Sequence, residues 1–309
     1  MKIAAVGAVF MDCMGRPSTE HFDPRGRNVG TVEFIHGGVG RNIAEDLLHA
    51  GAEVAFLSSV DSGPLGEAVL SHLRAIGMDV SCVAVGPGGM GVWLVVMDQN
   101  GDLAASISQQ LDFSLMERMI DERGEAFIDG CDAVALECDT SEHIFRRTCD
   151  LAVRCSKPLY AATSNMEILL KNLEYLSGME AFVCNEIEAG RLLDGDYVNL
   201  SNEKLLDVLR QKAEPLGLHS IVVTTGAKGA VWYDCDERRG GFRAPFAADV
   251  RDTSGAGDSF FAGFVFARTR GYSMEAAVDI GSLFAARTIE HVGPVRPDLG
   301  QFILEGSAV

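Results

Sequence analysis

Short apolar runs alternate with stretches of helical period along most of this 309-residue chain, and that alternation limits the fold more than any other feature. "IAAVGAVF" (3–10) reads as a first strand, part of an apolar run that Asp12 ends. In "GRNIAEDLLHA" (40–50), Ile43/Leu47 and Ala44/Leu48 repeat at helical spacing, and Gly51 supplies a stop. "VAFLSSV" (54–60) is again a strand. "SGPLGEAVLSHLRAIG" (62–77) follows as a helix, with Pro64 in its first turn, Leu65, Val69, Leu73 and Ile76 on one face, and Gly77 as its exit. Further strands are expected at 132–138, 158–163, 181–185 and 220–225, most of them separated by helical stretches. Strands joined by helical crossovers form a parallel sheet covered on both faces, so the fold class is α/β.

Two places break the rhythm. "GVWLVVMDQNGDLAASIS" (91–108) reads as two strands joined through Asn100-Gly101, and "AVWYD" (230–234) and "GFRAPF" (241–246) lie close enough to make an antiparallel edge. The last 50 residues read as two helices, roughly 258–270 and 273–290. With no internal repeat or long linker, the chain is expected to be one α/β domain, 1–309, with a small β insertion from segments near 8–35 and 86–108.

Composition excludes some functions. The balance of 26 basic against 44 acidic residues, net −18 and without a basic cluster, opposes binding to nucleic acid or an anionic membrane. No apolar stretch approaches the ~18 residues that span a bilayer. The eight cysteines are scattered with no C-x-x-C pair, which suits reduced thiols in a cytoplasmic protein. The apolar start is too short before Asp12 to read as a signal peptide.

Two glycine-rich stretches ask for a chemical reading. "GPGGMG" (86–91) fits G-x-G-x-x-G, but "VWLVVM" behind it is a strand, so no helix N-terminus is available for a pyrophosphate. "DTSGAGDSFFAGF" (252–264) differs because its glycines precede an apolar helical run. Glycines at a helix start let backbone N–H groups converge on an anion without Cβ obstruction, and the helix dipole adds positive potential. Asp258 beside such a cradle repels phosphate but can take the proton of an attacking hydroxyl. It can equally be a favourable first-turn carboxylate, and spacing leaves both readings open.

Taken with "GGVGRNIAEDLLHAGAEVAFLSSVDSGPLGEAV" (37–69), this stretch makes the chain resemble the PfkB family of ribokinase-like carbohydrate kinases over nearly its whole length. The resemblance implies a three-layer α/β/α fold with a mostly parallel central sheet and a small β-sheet lid, formed by the 8–35 and 86–108 segments. It implies that the amides of Gly255, Ala256 and Gly257 form an anion hole and that Asp258 is the catalytic base. Asp252 and Thr253 would lie near the nucleotide phosphates. In many family members a monovalent cation such as K+ binds nearby; the segments that correspond here, should one bind, are 250–252 and 291–293. Asn185 and Glu188 match N-x-x-E, which implies a part in holding magnesium through its water shell, although Asn185 is also a good helix cap. Thr224, Gly226 and Gly229 match a T-x-G-x-x-G turn against ATP phosphates, with Lys228 inside it read, on balance, as a solvated loop lysine.

On the acceptor side the same matching gives Asp12, Gly37, Gly38 and Asn42, the first and last as partners of sugar hydroxyls. A helix cap for Asn42 and a surface strand end for Asp12 are the plainer alternatives. The implied activity is transfer of phosphate from ATP, with magnesium, to a primary hydroxyl of a sugar or nucleoside. "GGVGRNIAE" is most similar to the pseudouridine-kinase branch. Phe10 stands where related kinases often carry Asn, which suggests packing or stacking against a base. A plain kinase of ribose, fructose or a sugar acid is the nearest alternative, and a non-catalytic sensor a further one. The outer face of the lid is the expected surface for a homodimer.

Overall fold

Ile3, Ala4, Ala5 and Val6 are all buried, as a strand covered on both faces requires. They belong to β1 (Lys2–Val6) in a computed structural model that describes residues 1–19, 22–100, 102–163 and 165–306. The chain continues through β2 (Phe10–Pro17), β3 (Gly30–Gly37), α1 (Val39–His49), β4 (Glu53–Val60), α2 (Pro64–Ala75), β5 (Asp79–Val85), β6 (Gly91–Met97) and β7 (Leu103–Gln109). Next come α3 (Ser114–Asp129), β8 (Ala133–Glu137), α4 (Glu142–Arg154), β9 (Leu159–Ala162), α5 (Glu167–Leu170), β10 (Ala181–Asn185), α6 (Glu186–Leu193) and α7 (Asn202–Lys212). The remainder is β11 (Ser220–Thr224), β12 (Ala230–Asp234), β13 (Arg239–Arg243), α8 (Ala256–Thr269), α9 (Met274–Thr288) and α10 (Leu299–Gly306).

Nine strands form the central sheet in the order β13-β12-β11-β10-β9-β8-β1-β4-β5. The pairings from β5 to β11 are parallel, whereas β12 and β13 add the expected antiparallel edge. Two apolar clusters lie on its opposite faces. One takes side chains from α3, α4, α6 and α7, the other from α1, α2, α8, α9 and α10. These are the three layers of an α/β/α fold. Helix α8 is buried continuously from Ser259 to Ala267, which explains an apolar sequence with little sidedness.

A separate four-stranded sheet, in the order β3-β2-β6-β7, comes from the segments near 8–35 and 86–108. Of those segments and their turn, residues 20, 21 and 101 lie outside the described residues.

Three sequence expectations need correction. The run "IAAVGAVF" is not one strand: β1 stops at Val6 and β2 begins at Phe10 in the small sheet. A Cβ on Gly7 would stand 2.6 Å from both Glu137 Oε2 and Gly40 Cα, so the chain threads a gap there that only glycine passes. Asp12 consequently lies inside β2 rather than at the end of the first strand. The second edge strand ends at Arg243, before Pro245, which has no N–H for a ladder. Finally, the C-terminal region contains a third helix, α10, whose Leu299 is fully buried beside α1 and α9.

Candidate active site

The two stretches that carried the sequence argument meet at the start of α8. Gly255 is the residue before the helix, with φ 73°, and an added Cβ would lie 1.9 Å from the carbonyl oxygen of Pro294. Glycine is therefore required here by conformation and by contact. Gly257, one turn position further, faces nothing within 4 Å. The first N–H groups of α8 have no partner within the helix, and the positive end of its dipole lies at this terminus, where Gly257 and Asp258 line a cavity. Ala256 N–H makes a long contact of 3.4 Å to Thr253 O.

Asp258 lies in the first turn of α8, partly open to a cavity but with its carboxyl enclosed by packed protein. Burial pushes it up to about 6, while a hydrogen bond from Asn42 and the charge of Arg41 oppose the rise. Asn42 Nδ2 donates to Asp258 Oδ2 at 2.7 Å. Asn42 is not a cap: Gly38 caps α1 and Asn42 is the fourth residue of the helix, its N–H donating to Gly38 O. Its Oδ1 is buried and, among the described residues, has no hydrogen-bond donor.

Gly38 has φ 98°, and a Cβ there would meet Ala8 O at 2.5 Å. Beside it, a Cβ on Gly37 would meet the Asp12 carboxylate at 2.7 Å. Asp12 is thus pressed against the Gly37-Gly38 turn, and partial burial raises its carboxyl above the ordinary value.

Beyond this, about 420 Å³ of cavity runs past the α8 N-terminus, lined by Asn185, Glu188, Thr224, Gly226, Gly257 and Asp258 among others. Asn185 caps α6: its Oδ1 accepts from Ile187 and Glu188 N–H, while the Glu188 carboxylate accepts from Asn185 N–H and Nδ2 at 2.7 and 2.8 Å. The capping alternative for Asn185 is therefore the geometry present, and the same box holds both residues on the cavity wall. Gly229, by contrast, does not line it. With φ 100° and Arg243 O 1.9 Å from its would-be Cβ, Gly229 shapes the turn after β11. Lys228 is an exposed loop lysine as expected, but its Nζ is not free: it donates to Glu186, Val198 O and Leu200 O, pinning that turn to α6. Asp252 accepts from Ser254 N–H and, at 3.0 Å, from Gly293 N–H, which ties the 250–252 segment to the 291–293 loop. Thr253 is exposed on the approach to α8.

Three buried groups went unread in the sequence. Glu137, at the end of β8, accepts from Ala8 and Gly40 N–H through the same oxygen, both at 2.8 Å, and burial pushes it up to about 8. Arg41 is enclosed beside the Gly37-Gly38 turn, donating to His36 O and Gly37 O and pairing with Glu45 at 3.0 Å. Behind Asp258, Thr288 donates to Ser259 Oγ, which donates to Asp46 Oδ2 at 2.5 Å. Asp46 is fully buried, and desolvation raises it well above the carboxylate range. A carboxylate ending an apolar parallel strand, as Glu137 does, was the available signal, since such strand ends open onto binding clefts.

The model of the pfkB family carbohydrate kinases matches residues 1–299. A guanosine-inosine kinase of Exiguobacterium acetylicum is 36% identical over 289 residues, covering 93% of this chain and 94% of the relative. A pseudouridine kinase of Escherichia coli is 26% identical, covering 84% of this chain and 82% of the relative. Among solved structures, the ribokinase of Arabidopsis thaliana complexed with ribose and ATP superposes with a TM-score of 0.81 at 18% identity, covering 98% of each chain. The fold is ribokinase-like, and the chain belongs to the pfkB family of carbohydrate kinases. It is a sugar or nucleoside kinase, transferring phosphate to a hydroxyl of a small molecule.

No helix among the described residues is long and apolar enough to cross a membrane, and the eight cysteines are free thiols.

Proposed function

We propose that the protein phosphorylates the primary hydroxyl of a nucleoside from ATP, with Asp258 as general base. The observation that carries this reading is the Asn42–Asp258 hydrogen bond, which joins the acceptor signature to the anion-binding helix start. The acceptor's hydroxyl proton passes to Asp258, its oxygen attacks the terminal phosphorus, and the bond from that phosphorus to the ADP oxygen breaks. The N–H groups at Gly255, Ala256 and Gly257 face the charge that develops on the transferring group. The open space at Gly257 leaves room for an anion beside the helix start.

Asp12 and Asn42 hold the acceptor's hydroxyls; the buried Oδ1 of Asn42 has no donor among the described residues. Gly37 and Gly38 let the sugar approach the backbone. Thr224, Gly226, Asp252 and Thr253 belong to the nucleotide side; Gly229 supports that turn from behind.

Among the described residues no three His, Cys, Asp or Glu side chains gather as a metal site, which suits an ion held mainly by phosphate and water. Asn185 and Glu188 would orient the waters of a magnesium ion, whose charge would offset that of the phosphates. Potassium, on this reading, belongs at the junction of 250–252 with 291–293. The small sheet acts as a lid, closing over the acceptor to limit transfer to water. Its outer face carries Phe34, Leu94 and Ile107, 58%, 40% and 69% exposed, and supports a homodimer. Free cysteines support a reducing, cytoplasmic setting.

Similarity to the guanosine-inosine kinase favours a purine nucleoside as acceptor; pseudouridine, expected from "GGVGRNIAE", is the second reading, supported by the more distant relative. The test is ATP consumption with guanosine, inosine, adenosine, pseudouridine, ribose and fructose, the phosphorylated product being confirmed by mass. Turnover of ribose or fructose without any nucleoside would overturn the acceptor class, and no product from any acceptor would favour a sensor.

A further inference from the structure

The small sheet has two unlike faces. Residues in register on neighbouring strands share a face, so Ile35, Asp12, Trp93 and Ser108 form one row across β3, β2, β6 and β7. The adjoining row on that face is Gly37, Phe10 and Gly91. A Cβ on Gly91 would come within 2.2 Å of the Phe10 ring, so Phe10 lies flat over that glycine. Phe10 packs on one apolar cluster of the central sheet and Met11, on the opposite face, is buried in the other, so both faces meet the body of the protein at this end. Farther out, Val95 on the face of Asp12 is fully buried whereas Phe34, Leu94 and Ile107 on the opposite face are exposed, which makes the face of Asp12 the inner one. The alternate row, Phe34, Cys13, Leu94 and Ile107, lies on the outer face.

Trp93 is the anomaly on the inner face. The chain has two tryptophans. Trp232 is 4% exposed in the core, whereas Trp93 is 37% exposed and stands directly beside Asp12. Phe10, expected from the sequence to meet a base, is already committed to Gly91 and the core. The indole next to it is not.

We propose that Trp93 is the platform on which the base of the acceptor nucleoside stacks while Asp12 holds its ribose. Adjacent strands are about 4.8 Å apart, which suits a sugar on one strand's side chain and its attached base on the next. Stacking on an indole tolerates different bases because each presents a π-face, so Trp93 selects nucleosides over free sugars rather than one base over another. Ser108, next in the row, is placed to meet the base edge. This inference rests on the nucleoside-kinase reading.

The experiment uses the intact enzyme. Trp93→Leu is expected to raise KM for guanosine or inosine by about 5- to 150-fold, with KM for ATP unchanged and Trp93→Phe restoring most of the loss. In Trp232→Phe, where Trp93 is the remaining indole, nucleoside is expected to quench the fluorescence and ribose to leave it unchanged. If that variant does not fold, protection of the unsubstituted protein from acrylamide quenching by nucleoside gives the same readout. An unchanged nucleoside KM in Trp93→Leu, or no fluorescence response to a nucleoside that is turned over, overturns the platform and leaves the nucleoside reading standing. Failure of the unsubstituted enzyme to phosphorylate any nucleoside overturns that reading instead.

Discussion

Asn42 and Asp258, 216 positions apart in the chain, are joined by a 2.7 Å hydrogen bond from amide to carboxylate. The bond favours the ionised form of a carboxyl that burial has pushed up to about 6. A general base must be ionised, so kcat is expected to rise with pH through about 6 and to level off above it. Asn42→Leu removes a contact that lowers this value, and the acid limb of the profile should move to higher pH. The measurement is kcat against pH at saturating ATP and acceptor; an acid limb that does not move in the variant contradicts the coupling.

The two glycines before and within α8 should respond in opposite ways. Gly255→Ala forces φ 73° on alanine and drives its Cβ to 1.9 Å from Pro294 O, so thermal stability and activity should fall together. Gly257→Ala meets nothing within 4 Å and adds a better helix former, which should stabilise by about 0.5–1 kcal/mol. Its methyl group enters the space assigned to the phosphate, so turnover should nevertheless drop by at least about tenfold, a loss of ~1.4 kcal/mol in transition-state binding. Thermal melts and kcat/KM for ATP, measured on both variants, separate the two effects.

Glu137 should make stability depend on pH. Its value rises from 4.5 to about 8 on folding because the charged form is desolvated. The folded state keeps a proton that the unfolded state releases, so this contribution is fully present below about 4.5 and is lost as pH rises through about 8. Since one oxygen accepts both amides, Glu137→Gln can keep both bonds and should flatten the fall in Tm between about pH 4.5 and about pH 8. Glu137→Ala strands the Ala8 and Gly40 N–H groups and should cost about 1–3 kcal/mol for each.

The outer face of the small sheet gives a prediction about assembly. Leu94→Glu places a charge in the middle of the row formed by Phe34, Cys13, Leu94 and Ile107. Sedimentation should show a dimer for the parent protein and a monomer for the variant.

Much of the fold was legible because two periodicities, one of strands and one of helices, are written directly into apolar spacing. The break after Val6 was not, because an uninterrupted apolar run hides the point where Gly7 must slip past Glu137 and Gly40. Helix α10 was missed for a different reason: Leu299, Phe302 and Ile303 give a single short apolar set at helical spacing, and part of what it packs on, α1, lies at the other end of the chain. In the site, Asp258, Asn42 and the glycines could be read because each stands inside a local pattern. Glu137 and the Thr288–Ser259–Asp46 chain could not, since their meaning comes from what tertiary packing leaves around a carboxyl. Asn185 shows the converse: its capping role was visible locally, and the cavity it lines was not.

The central claim is that Asp258 takes the acceptor's proton, and Asp258→Asn tests it most directly. The change is isosteric and keeps an oxygen able to accept from Asn42, so the fold and ATP binding should be retained. Single-turnover phosphorylation of the preferred acceptor should slow by about 100- to 10,000-fold. Phosphorylation at the parent rate in that variant would contradict the account.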